Sequence, residues 1–259
     1  MLTHADPLLV MRSTTRTLVL AVVVVVTAAG CAPTRQPLPP PRIATIEDRV
    51  AQYGPAARAR LLPFFAAAGV PYPPLRFLLL GLKQERALQL YAAGPVQPLA
   101  FIRSFAVLGA SGGLGPKLRE GDRQVPEGVY SIEYLNPNSI SHLSLALGYP
   151  NEFDRLQAAE DGRENAILGG DIMIHGGAGS IGCLAIGDQA AEELFVLAAD
   201  AGWQQGTVVV SPVDFRRTEL PADFQPPTPW ADQLYAWLRN KLSALPLAPA
   251  AAAPVAGKR

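Results

Sequence analysis

The chain has 259 residues, with 22 Lys+Arg against 22 Asp+Glu, 49% hydrophobic and 17% charged residues. That balance describes a globular chain long enough for a sizeable core, with no net charge to attract nucleic acid. Two Cys and three His exclude a disulfide framework and leave too few ligands for a zinc module built from those residues.

Taken in chain order, Arg12 and Arg16 precede a twelve-residue uncharged apolar run over residues 18–29. A basic start, a short apolar run and small residues after it mark residues 1–30 as a secretory signal, with Met11 an alternative start. Twelve residues fall short of the about 20 that a permanent span needs. Ala28-Ala29-Gly30-Cys31 resembles the bacterial lipobox, although Ala28 stands where Leu is usual. The lipobox implies a lipidated Cys31 as the first mature residue; an ordinary cleaved signal with an incidental Cys is the other reading. Residues 31–42 hold five Pro, an extended tether. Ala32 after the Cys, by analogy with Gram-negative lipoproteins, points to the outer membrane and hence to the periplasm. Losing residues 1–30 removes Arg12, Arg16 and Asp6, so the mature balance is 20 basic to 21 acidic groups, or −1. It also leaves only His142 and His175, and one Cys besides Cys31.

Thr45 and Asp48 resemble a capping box, and a helix is expected from there, broken near Gly54-Pro55, resumed over residues 56–68 and ended by Gly69. Residues 43–74 then read as a small helical cap. Residues 77–83 and 87–91 form a hairpin about Gln84-Glu85-Arg86, and residues 101–108 a further strand. A long Gly-rich, charged loop covers residues 111–126. Strands follow at 129–135, 142–147, 172–175 and 207–210. Asp188 is placed as the cap of a helix with Glu192 and Glu193 in its first turn. Leu194, Val196, Leu197 and Ala201 form its apolar stripe, and Gly202 ends it. Residues 230–242 make a last amphipathic helix carrying Leu234, Trp237 and Leu238. The expected organisation is a domain over residues 75–212, a helical extension over 213–245 and a disordered Ala/Pro tail over 246–259. The fold class is mainly β or α+β, a mixed, sandwich-like sheet with peripheral helices.

Chemistry concentrates in Ile174-His175-Gly176-Gly177-Ala178-Gly179-Ser180-Ile181-Gly182-Cys183. A Cys needs a base or cation to form thiolate near neutral pH, and His is the usual partner. Glycines let backbone N–H groups turn into a cavity, where they can stabilise an oxyanion. Spacing alone leaves a small buried Cys as the blander alternative.

This segment resembles the YkuD-type L,D-transpeptidases, and more closely their murein branch with a short spacer and Ser-x-Gly-Cys. Further blocks resemble that branch in order: Gly115-Pro116-Lys117-Leu118-Arg119-Glu120-Gly121-Asp122, Val125-Pro126-Glu127-Gly128-Val129-Tyr130, Leu135-Asn136-Pro137-Asn138-Ser139, His142-Leu143-Ser144 and Gly148-Tyr149-Pro150-Asn151. Two positions depart from the commoner family motif: Ile181 replaces a His, and Ala185 replaces an Arg. The resemblance implies Cys183 as nucleophile and His175 as general base and acid, with the Gly176 carbonyl orienting the imidazole. It also implies Gly182 and Cys183 N–H groups as oxyanion donors. Ser180 has two readings, one beside the nucleophile and one as a hydrogen-bonded turn residue. Lys117, Arg119 and Arg123 are candidates for stem-peptide carboxylates or members of a solvated loop, and His142 a cleft residue or a structural one.

The implied activity is cysteine acyl transfer on the third residue of peptidoglycan stem peptides, without metal or cofactor. Its variants are hydrolysis, including release of wall-linked lipoprotein. An inactive wall-binding lipoprotein is the non-enzyme alternative. A papain-like peptidase is disfavoured because His175 precedes Cys183, by eight residues.

Overall fold

The structure is a computed structural model that describes residues 43–164 and 167–249. The signal, Cys31 and the proline-rich tether lie outside the described residues, as do residues 250–259 of the expected tail. Helix α1 (Ile46–Ala67) leads into a meander of β1 (Arg76–Leu82), β2 (Ala87–Ala93) and β3 (Ala100–Ala106). Strands β4 (Gly128–Asn136) and β5 (Ser144–Leu147) precede helix α2 (Glu152–Glu160). Two very short strands, β6 (Met173–His175) and β7 (Leu184–Ala185), precede helix α3 (Asp188–Ala201), strand β8 (Gly206–Ser211) and helix α4 (Ala231–Ser243).

The eight strands form one mixed sheet in the order β3-β2-β1-β8-β4-β5-β6-β7. Strand β4 serves both halves: residues 128–131 pair with β8 and residues 132–136 with β5, with a register irregularity between Ile132 and Tyr134. An irregularity of that kind bends a strand, and the sheet curls there. The architecture is α+β.

Period-two alternation explains the three layers. On β1, Phe77 and Leu79 enter one core, while Leu78, Leu80 and Leu82 enter another. The first is closed by Leu61 and Phe65 of α1 and by Leu194, Phe195 and Leu197 of α3; the second by Leu234, Tyr235, Leu238 and Leu242 of α4. Burial on both faces is why β1 reads as a continuous apolar run.

Helix α1 runs unbroken through Gly54-Pro55 and Pro63. Both prolines lie on its exposed side, so the carbonyls that lose a donor face water. Its other side is fixed to α3 by ion pairs of Arg58 with Asp200 (2.6 Å) and Arg60 with Glu193 (2.7 Å). Glu193 is therefore buried against Arg60 and Arg103 and lies beyond the first turn of α3. Gly187, not Asp188, is the N-cap of α3. On α4 the buried stripe is Ala231, Leu234, Tyr235, Leu238 and Leu242. Trp237 falls off that 3.6-residue stripe and is 40% exposed. Helix α2, not expected from the sequence, starts with a capping box of Asn151 and Asp154. Residues 142 and 143 fall outside β5, with His142 at φ +73°.

The long loop before β4 is held from below by charge. Lys83 Nζ lies 3.0 Å from Glu127 Oε1 and donates to the carbonyls of Gly115 (2.9 Å) and Val125 (3.0 Å). Tyr235 Oη donates to Glu127 Oε2 at 2.9 Å. Burial pushes the Lys83 pKa down, opposed by the Glu127 carboxylate.

Candidate active site

Strands β6 and β7 are parallel, with Ile174 opposite Leu184 and His175 opposite Ala185. One step back along the same register, Cys183 lies beside Met173, whose N–H donates to Cys183 Sγ at 3.4 Å. Cys183 stands immediately before β7 and His175 ends β6, so the parallel pairing brings the two residues to nearby positions on adjacent chain segments. The Cys183 thiol points to the carbonyl of Asp171 at 3.7 Å. Burial pushes its pKa up, opposed by the Met173 N–H. A thiol held in this way keeps its proton near neutral pH unless a base takes it.

His175 is buried, 7% exposed. Its Nδ1 lies 2.6 Å from the Gly176 carbonyl oxygen. A carbonyl can only accept, so Nδ1 carries the proton and Nε2 holds the free lone pair. The backbone around the ring is fixed on both sides. Gly176 N–H donates to Leu143 O (3.2 Å), Ile186 N–H to His175 O (2.9 Å) and Gly187 N–H to Gly177 O (2.9 Å).

Ser180 closes the turn that carries Cys183. Its hydroxyl donates to Cys183 O (2.6 Å) and accepts from Cys183 N–H (3.1 Å). That bond corrects the expectation for Cys183 N–H as an oxyanion donor, because Ser180 already occupies it. Gly182 N–H makes no hydrogen bond among the described residues. Gly182 is buried and has φ +118°, a conformation that glycine tolerates best. Ile181, next to it, projects outward at 80% exposure. Gly109 passes so close to Ala178 O that a Cβ there would overlap the carbonyl, which shows how tightly the turn is backed.

The other candidates separate. His142 Nε2 meets Glu192 Oε1 of α3 at 3.1 Å, and its ring packs edge-on against Tyr53 of α1 at 5.0 Å. Those contacts make it a tie between the helices and the strand start. Lys117 is buried, held to Asp122 Oδ1 at 2.6 Å. Arg119 and Arg123 are exposed, and their guanidinium groups have no hydrogen bond or ion pair among the described residues. Asp122, which the sequence did not single out, organises this loop by accepting from the N–H groups of Leu118, Arg119 and Gln124. A Gly121-Asp122 pair at the end of a charged, Gly-rich stretch was the available signal. No group of three or more His, Cys, Asp or Glu able to hold a metal occurs among the described residues.

The model of the YkuD L,D-transpeptidase catalytic domain matches residues 83–211. The chain is 38% identical over 140 residues to the Escherichia coli K12 protein named "Putative L,D-transpeptidase YafK", covering 53% of each chain. The O157:H7 protein of the same name matches to the same extent. The chain thus spans about half the length of the curated relatives it matches. Among solved structures, Bdellovibrio bacteriovorus Bd1075 is 20% identical with a TM-score of 0.38, covering 53% of this chain and 48% of that one. The helical cell shape determining protein Pgp2 of Campylobacter jejuni is 24% identical with a TM-score of 0.41 and the same coverage. With its matched segment running from the buried Lys83 through His175 and Cys183 to the end of β8, the chain belongs, through residues 83–211, to the YkuD family of L,D-transpeptidase catalytic domains.

Proposed function

We propose that this protein is a peptidoglycan L,D-transpeptidase acting by cysteine acyl transfer. The observation that carries the reading is the pairing of β6 with β7, which brings the segment ending in His175 alongside the one entered from Cys183, with the imidazole proton committed to the Gly176 carbonyl. His175 Nε2 takes the Cys183 proton as sulfur attacks the carbonyl of the third residue of a stem peptide. Gly182 N–H stabilises the oxyanion. As the tetrahedral intermediate collapses, the bond to D-Ala breaks and His175 returns the proton to the departing amine. The thioester then passes to an amine, making a new amide, or to water. Arg119 and Arg123, exposed on the adjoining loop, contribute to binding of stem carboxylates. The working place of the enzyme is the periplasm, with lipidated Cys31 tethering it to the outer membrane, so that the acceptors include neighbouring stems and wall-linked lipoprotein.

Product analysis after incubating the purified protein with defined tetrapeptide muropeptides tests this reading. Cross-linked dimers with release of D-Ala are expected. Release of D-Ala with only tripeptide product identifies water as the acceptor, and no change in the muropeptides overturns the proposal. The tether is tested separately: a Cys31→Ser variant is expected to lose lipid label and membrane fractionation together.

A further inference from the structure

The hydrogen bond that sets the His175 tautomer ends on the Gly176 carbonyl, and that carbonyl belongs to the peptide group joining Gly176 to Gly177. The N–H of the same peptide group donates to Asp188 Oδ1 at 2.8 Å. Asp188 Oδ1, the planar amide and His175 Nδ1–H therefore form one continuous line of hydrogen bonds. We infer that Asp188 is a positioning residue for His175, acting through the Gly176–Gly177 peptide. The inference rests on the reading of His175 as the base that activates Cys183.

Three observations support it. Asp188 is the first residue of α3, yet its carboxylate does not cap that helix; Gly177 N–H is its one hydrogen bond among the described residues. The carboxylate also approaches so closely that a Cβ on Gly176 would sit 2.6 Å from Oδ1, 2.7 Å from Ser141 O and 2.9 Å from His142 Cβ. Gly176 is thus the residue type that lets Asp188 reach the peptide. Gly177, in turn, has φ +66°, a left-handed conformation in which the N–H turns towards α3 at little steric cost. A carboxylate accepting an amide N–H makes a stronger bond than a neutral acceptor does, and it polarises the amide so that its carbonyl accepts better. The effect reaches His175 as a fixed plane for its acceptor and a firmer hold on Nδ1–H. Asp188 touches neither the reacting atoms nor the nucleophile.

The measurement is the rate of Cys183 carbamidomethylation by iodoacetamide at about pH 7, read on the peptide that holds Cys183. It is made on the full chain, with thermal midpoints alongside. Asp188→Ala is expected to slow the reaction about ten-fold, whereas Asp188→Asn, which keeps an acceptor oxygen at that position, stays within about three-fold of the wild type. Asp188→Ser, whose oxygen is too short to reach Gly177, should behave like Ala and serves if the Ala variant folds poorly. In a His175→Gln background, adding Asp188→Ala should cost less than about two-fold, because the route through His175 is already lost. An equal loss in both backgrounds, or no loss from Asp188→Ala in the wild type, overturns the inference while leaving His175 as the base. A His175→Gln protein that reacts at the wild-type rate overturns both readings together.

Discussion

The two ends of the sheet are built by different means. At one end, β1, β2 and β3 each have seven residues, and apolar side chains on both faces hold them between helices. At the other end, β5, β6 and β7 have four, three and two residues. There the chain is kept in place by single polar contacts: Ser180 on the Cys183 backbone, His175 on Gly176, Asp188 on Gly177. Long strands define position through many weak contacts, so they tolerate the loss of one. Short strands define position through a few directional bonds, and the proposed chemistry sits where those bonds are. The reactive end is therefore where small changes should alter rate, and the long-strand end is where they should alter stability.

The largest effect expected at the reactive end comes from the pair itself. Cys183→Ala and His175→Ala should each abolish turnover of tetrapeptide muropeptides, with thermal midpoints within a few degrees of the wild type. Cys183→Ser should be nearly inactive, since a hydroxyl gives up its proton far less readily than a thiol. Because burial raises the Cys183 pKa, alkylation should quicken as pH climbs past the free-thiol value of about 8.5, and most steeply in His175→Gln. A flat profile in that variant would break the assignment of His175 as base.

The complementary change at the other end is Leu79→Ala. Leu79 is fully buried in the core under α1 and α3, and the variant should lose about 2–5 kcal/mol of stability by transfer and cavity terms. At a temperature where it stays folded, Cys183 should alkylate at close to the wild-type rate. A large drop in that rate would show that the two ends are not separable.

A third effect depends on pH. Burial raises Asp154 at the start of α2 to about 6, against backbone donation from Asn151. A carboxyl whose pKa is higher folded than unfolded binds its proton more tightly in the folded state. Its presence therefore costs nothing below about pH 4 and progressively more stability as pH rises to about 6. Asp154→Asn should stabilise the protein by about 1–2 kcal/mol at about pH 7 and flatten denaturation midpoints between those values. A loss of stability at every pH would mean that the ionised carboxylate is what the cap requires.

The smallest effect expected is at the loop. Arg119→Ala and Arg123→Ala should each raise KM a few-fold with kcat unchanged, because exposed ion pairs contribute only about 0–1 kcal/mol. Unchanged kinetics in both would leave the two side chains as solvated members of the loop.

The same division decides what could be read from the sequence. The long strands announce themselves: residues 77–83 and 87–91 alternate between two cores, and β1 and β2 fall where the apolar runs place them. The motif from His175 to Cys183 is legible because its residue types are rare in this chain. What the sequence hides is made by contacts distant along it. Strand β7 has two residues, too few for a periodic signal, and exists because β6 and the segment at Gly109 pair with it. Asp188 reads as a helix cap by local rules, yet its carboxylate turns to a peptide 11 residues earlier. His142 alternates with its neighbours as a strand residue would, but Tyr53 and Glu192, far away in sequence, draw its ring to the helices. Helix α1 runs through two prolines because both lie on its exposed side, while its other side is held to α3 by ion pairs from residues far along the chain.

The most direct test of cysteine acyl transfer is the mass of the intact protein after brief mixing with a tetrapeptide muropeptide. A muropeptide acyl group, less one D-Ala, is expected on Cys183 of the wild type, with free D-Ala released in step. Cys183→Ala should form no adduct and release no D-Ala. Release of D-Ala by Cys183→Ala at the wild-type rate, or an adduct on another residue, would contradict it.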